Sequence, residues 1–194
     1  MSFTSVQASS LPVCKDCSRT CSSPTSRATG RTSPYHAAAS RNCPTCIIIL
    51  KPRRRRCNSN TLDDDDRSAL HIAAQNSTTA ALAALLADKK TARNPRDYLG
   101  LTPLHHAVIA GSTNAVVLLY QDLATESEPT SKSGKTPLHF AAAAGHIEIT
   151  RHLLSNRSPS IHPADNSYKT PLDNARKNGH NQIVELFERM TSQF

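Results

Sequence analysis

The sequence has no tryptophan, only four tyrosines and four phenylalanines in 194 residues, and just six glycines. A core built on large aromatic rings is therefore excluded, and alanine and leucine must fill thin layers instead. Apolar runs such as Ile47–Leu50 fall far short of the ~20 residues that a membrane-crossing helix needs. The opening MSFTSVQASSLPV holds no sustained apolar stretch, so no secretory signal is expected and the protein is read as soluble and intracellular. Catalytic constellations are missing as well: there is no nucleophile–base arrangement or paired acid–base carboxylate motif. SKSGKT, residues 131 to 136, lacks the first glycine of a phosphate loop. An enzyme is not expected, and no cofactor is implied.

What is present is unevenly distributed. Residues 1–60 hold ten Lys or Arg against one Asp, a net of +9, while residues 61–194 hold thirteen basic and fourteen acidic residues, a net of −1. All six cysteines, Cys14, Cys17, Cys21, Cys43, Cys46 and Cys57, lie in the first part. Two physically different segments thus meet near residue 60.

The second segment repeats. SALHIAAQNS from Ser68, TPLHHAVIAG from Thr102, TPLHFAAAAG from Thr136 and TPLDNARKNG from Thr170 start 34 residues apart. Ser68, Thr102, Thr136 and Thr170 stand where a helix N-cap belongs, and Pro103, Pro137 and Pro171 follow at the first helical position, where a missing N–H costs nothing. Leu70, Leu104, Leu138 and Leu172 point inward. Ala73, Ala107, Ala141 and Ala175 let helices approach closely. Gly111, Gly145 and Gly179 end each first helix in the left-handed region, with Ser77 a weaker substitute in the Ser68 repeat. Apolar residues at helical spacing, such as Leu82, Leu85 and Leu86 or Ile183, Val184 and Phe187, mark a second helix.

This pattern resembles the ankyrin repeat, with its period of about 33 and its T-P-L-H-x-A signature, over residues 63 to 190. The resemblance implies an all-α ankyrin-repeat solenoid of helix–turn–helix units with projecting β-turn fingers. It also assigns His71, His105 and His139 to helix starts that hydrogen-bond across repeats. Gly100 and Gly134 fill the finger's turn position, whereas Asp66 and Tyr168 replace it. A bulky residue resists positive φ, so the last finger is expected to be distorted.

One period before Ser68 lies Ser33, heading S-P-Y-H-A-A-A-S-R-N, with CPTCIIILK where a second helix should run. The domain reading is therefore a disordered tail over 1–32, a degenerate repeat and basic loop over 33–62, and four repeats over 63–194. Cys14-x2-Cys17 and Cys43-x2-Cys46 have metal-pair spacing, but 25 residues separate the pairs and the knuckle pattern is lacking, so no metal is assigned. Stable disulfides are not expected inside the cell. The run Lys51 and Arg53, Arg54, Arg55 and Arg56 is a nuclear-localisation candidate, giving a nuclear or cytoplasmic location. Contact of Arg53–Arg56 with nucleic acid is the weaker reading, because four arginines supply salt-sensitive affinity without base readout.

The expected function is protein–protein interaction by an adaptor or regulator, monomeric on its own, with no membrane partner. The alternative is a nuclear transcriptional regulator using residues 51–56. Carried over by position, the partner-binding residues are Tyr98, Leu99, Leu101, Ile109, Lys132, Ser133, Lys135, Lys169, Lys177 and Asn178. Tyr98, Leu99 and Leu101 are the informative group, since apolar residues at finger positions mark a contact surface.

Overall fold

The computed structural model describes residues 32–50, 58–76, 79–122, 124–155 and 162–191. Residues 1–31 of the predicted tail, the arginine run and Ser77 lie outside them. Among the described residues the fold is all-helical, with one isolated bridge between Leu62 and Ser68. Helices come in pairs: α1 (Pro34–Ser40) with α2 (Pro44–Leu50), α3 (Ala69–Gln75) with α4 (Ala80–Leu86), and α5 (Pro103–Ile109) with α6 (Thr113–Gln121). Then follow α7 (Pro137–Ala144) with α8 (Ile147–Ser155), and α9 (Pro171–Lys177) with α10 (Asn181–Thr191). The odd-numbered helices stack as an inner row, α1 on α3, α3 on α5, α5 on α7 and α7 on α9.

Most of these helices span two turns, too few to hold together in isolation, so burial between neighbours must stabilise them. The core is one continuous layer. Tyr35, Ile47, Leu70, Leu82, Leu104, Leu119, Ile149, Ile183 and Phe187 are all at most 2 % exposed, and each such side chain contributes on the order of 2 kcal/mol. Between them, Ala38, Ala73, Ala107, Ala141 and Ala175 have no exposed surface, which is how inner helices pack closely without large side chains. Leu172 is only half-buried, because no described repeat covers α9.

Two devices close gaps that the sequence leaves. At the C-terminus of α3, where no glycine stands, the Asn76 amide donates to the Ala39 carbonyl at 2.8 Å. The Ser112 hydroxyl in turn donates to the Asn76 carbonyl at 2.9 Å. At the outer edge, the Arg93 guanidinium donates to the Leu86, Asp88 and Thr91 carbonyls and pairs with Asp122 at 2.7 Å, tying the end of α4 to the end of α6.

The last finger is not distorted, contrary to the sequence expectation. Tyr168 takes φ 59°, beside φ 76° at both Gly100 and Gly134. Its turn keeps the same pair of bonds: Asp165 N–H to Lys169 O at 3.0 Å and Tyr168 N–H to Asp165 O at 2.9 Å. A Cβ at Gly134 would lie 2.3 Å from Asn166 Oδ1 of the following finger. Tyr168 meets no such neighbour, and its ring is 91 % exposed. The strain is therefore local to one residue, ~1 kcal/mol. Replacing Tyr168 with Gly should raise stability by at most about 0.5 kcal/mol, after allowing for the entropy a glycine adds to the unfolded chain. A lower urea midpoint for Tyr168→Gly would contradict this.

Candidate protein-binding surface

Each finger is built on a buried polar residue that recurs every 34 positions. Asp97 Oδ1 accepts the N–H groups of Leu99 at 2.9 Å and Leu101 at 2.8 Å. Asp63 does the same for Asp65 and Arg67, and Asp165 for Ser167 and Lys169. In the third finger Ser131 substitutes, its hydroxyl accepting from Lys135 N–H at 3.1 Å. The sequence reading missed these residues. Their common phase, five positions before each N-cap, was the available signal. The Asp63 carboxyl is pushed up by burial, yet the N–H groups of Arg67 and Asp65 and the Arg67 side chain outweigh that and hold it below its ordinary range.

Histidines connect fingers to helices. In four repeats the N-cap N–H donates to the Nδ1 of the histidine three residues on: Ser33 to His36, Ser68 to His71, Thr102 to His105 and Thr136 to His139, at 3.0–3.1 Å. Because Nδ1 accepts a backbone N–H, the ring proton must sit on Nε2. Nε2 then donates into the next repeat, to the carbonyls of Arg67, Leu101, Lys135 and Lys169 at 2.8–3.1 Å. In the last repeat, with no described repeat beyond, Asp173 takes the histidine's place and accepts from the Thr170 N–H and hydroxyl.

Burial pushes His71 and His105 down to about 4, with His106 adding to the effect at both. His139 is lowered for the same first reason, against the opposing bond to the Lys169 carbonyl. These rings are neutral structural links, not ligands or bases.

His106 faces another way. Its Nδ1 accepts from the Gln75 amide at 2.8 Å, and its Nε2 donates to Asp97 Oδ2 at 2.9 Å. It thereby joins α3, α5 and the base of the second finger. Among the described residues no group of three His, Cys, Asp or Glu could hold a metal. Cys14, Cys17, Cys21 and Cys57 lie outside those residues.

On this scaffold the predicted contact residues divide. Tyr98, Leu99 and Ile109 are 52 %, 46 % and 46 % exposed, as expected of a contact surface. Leu101 is not part of that surface. It is 7 % exposed, and it sits directly before the Thr102 cap, where its N–H bonds Asp97 and its carbonyl accepts from His71. Lys132 lies beside Tyr98 and Leu99: its N–H donates to Leu99 O at 3.0 Å and its ammonium reaches Tyr98 O. Ser133 is exposed but accepts from Asn166 N–H through its carbonyl. Lys135 is half-buried and Lys169 exposed. Lys177 and Asn178 end the α9 segment, two repeats away from Tyr98, and the Asn178 amide donates to Ala143 O. The localisation candidates Lys51 and Arg53–Arg56 fall outside the described residues.

A family model described as ankyrin repeats in three copies matches residues 35–130 and again 121–191. This chain belongs to the ankyrin repeat family. No curated protein matches it at a significant level. Ankyrin repeats generally act as non-enzymatic modules that bind other proteins, and the geometry agrees in kind: backbone fingers fixed by buried polar residues, presenting side chains outward. No described helix of this ankyrin stack is long and apolar enough to cross a membrane.

Proposed function

We propose that the protein is an adaptor or regulator that binds a partner protein across its finger tips and the adjoining inner helices. Tyr98, Leu99 and Ile109 serve as apolar anchors, and Lys132, Lys135, Lys169 and Lys177 form a cationic flank. The observation that carries this is the exposure of three large apolar side chains within one repeat, on backbone held by Asp97 and His105. Exposed Asp64, Asp65 and Asp66 bound the opposite side. The fitting partner is a protein segment with apolar side chains, acidic toward the lysines and basic toward the aspartates. The scaffold works as a monomer, and the repeat region begins at residue 33, behind a tail over 1–32.

Changing Tyr98, Leu99 and Ile109 together to Ser should weaken partner capture at least about tenfold. Surface changes of this kind alter stability by about 0.5 kcal/mol or less each. Affinity capture with native and triple-variant protein, alongside thermal melts, tests this. An unchanged captured set would refute the surface assignment, and loss of folding would refute the exposure on which it rests.

Lys51 and Arg53–Arg56 supply nuclear import in the same proposal, motivated by the +9 net charge of residues 1–60. A fluorescent fusion with those arginines changed to Ala should shift toward the cytoplasm. Unaltered distribution would remove the import role.

A further inference from the structure

We propose that Cys43 and Cys46 form a redox-active dithiol that exchanges with small disulfides of the glutathione class and closes into an intrachain disulfide within the first repeat. C-P-T-C places two sulfurs three residues apart at the start of α2, on one side of the helix. The backbone there is fixed on both sides. Cys43 N–H donates to Ala38 O at 2.9 Å, and Cys43 O accepts from Ile47 N–H at 3.4 Å. The sulfurs approach to 2.9 Å, well inside the separation of two unbonded sulfur atoms, and the Cys46 N–H points at Cys43 Sγ at 3.4 Å.

The two thiols also differ in access. Cys43 is half-buried, while Cys46 is 3 % exposed and packed in the core layer with Ile47 and Leu50. That asymmetry assigns an order to the chemistry. Cys43, as thiolate, attacks one sulfur of the external disulfide; the S–S bond breaks and one small thiolate leaves. Cys46 then loses its proton and its sulfur attacks Cys43 Sγ in the mixed disulfide, expelling the second small thiolate. Two electrons pass from the protein to the external disulfide, and two protons follow to the released thiols. The Cys46 N–H donates to the negative charge that Cys43 carries before attack. Within the cell such a bond is transient, the usual form of disulfides in a reducing compartment.

Full-length reduced protein is incubated with excess oxidised glutathione, quenched in acid, alkylated, digested with trypsin and weighed by mass spectrometry. Cys43 and Cys46 share the tryptic peptide that starts at Asn42, whereas Cys14, Cys17, Cys21 and Cys57 each fall on separate peptides. The expected product is that one peptide lighter by two hydrogens and resistant to alkylation. In Cys46→Ala, Cys43 should accumulate as the glutathione mixed disulfide. In Cys43→Ser, modification at Cys46 should slow by about tenfold or more, following its burial. Circular dichroism of both variants checks that the helices persist. Three results would overturn the proposal: full alkylation of both cysteines after oxidation, a bond from either one to another cysteine's peptide, or one equivalent of tightly held zinc that protects both sulfurs.

Discussion

Between pH 7 and pH 5 the protein should lose on the order of 4 kcal/mol of folding stability, well before its carboxylates protonate. His71 and His105 have an ordinary value of 6.5 and are lowered to about 4 in the folded stack, chiefly by burial. Above pH 6.5 both rings are neutral whether the chain is folded or not, and this stability is present in full. As pH falls below 6.5 the unfolded chain takes up protons that the folded chain refuses, so stability falls until the folded rings titrate near 4. At pH 5 each ring costs about 2 kcal/mol, and His139 adds in the same direction. Asp63, Asp165 and Asp173 are held below 3.8, so their contributions are lost only at lower pH. Urea titrations at pH 7, 6, 5 and 4 read the effect directly, and the slope at pH 5 should correspond to about two protons taken up on unfolding. A midpoint that stays flat from pH 7 to pH 5 would show that the rings are solvated or charged in the native stack.

The histidines also mark how far the sequence could be read. T-P-L-H at a 34-residue spacing was enough to place the cap, the helix start and the cross-repeat bond, because each needs a particular residue type in a fixed phase. The same reasoning extended to S-P-Y-H at Ser33, where His36 reaches the Arg67 carbonyl just as His71 reaches Leu101. It failed at Leu101, where identity suggested a surface anchor and the side chain is buried. The residue directly before each cap has its N–H and carbonyl held in the same way, yet the apolar Leu101 is buried there while Lys135 is half-buried and Lys169 exposed, so position and chemistry together decide the burial. It failed again at Tyr168, where the positive φ is adopted as it is at Asp66, and where no described finger follows to crowd the side chain. That fact belongs to the stack and not to the repeat. The contact surface is thus legible as a set of positions but not as a set of exposures.

Asp97→Ala should cost about 3 kcal/mol, far more than any change at the neighbouring Tyr98. One carboxylate, 5 % exposed, accepts from Leu99 N–H, Leu101 N–H and His106 Nε2, so its removal leaves three donors short of a partner in a buried place. Hydrogen bonds to a charged group are worth about 1.5–3 kcal/mol, and unsatisfied buried donors add to the loss. The damage should spread from the finger base to the surface it supports. Tyr98 and Leu99 sit between Asp97 and Leu101, and Lys132 is fixed to the same loop through Leu99 O. His106 would lose one of the two partners that hold it between α3 and α5. Asp97→Ala should therefore lower both the urea midpoint and partner affinity, whereas the Tyr98, Leu99 and Ile109 changes lower affinity alone. Hydrogen exchange separates the two: amides of Leu99 and Leu101 should lose protection in Asp97→Ala and keep it in the surface variant. Equal protection of those amides in Asp97→Ala and the native protein would mean that the finger stands without its buried carboxylate.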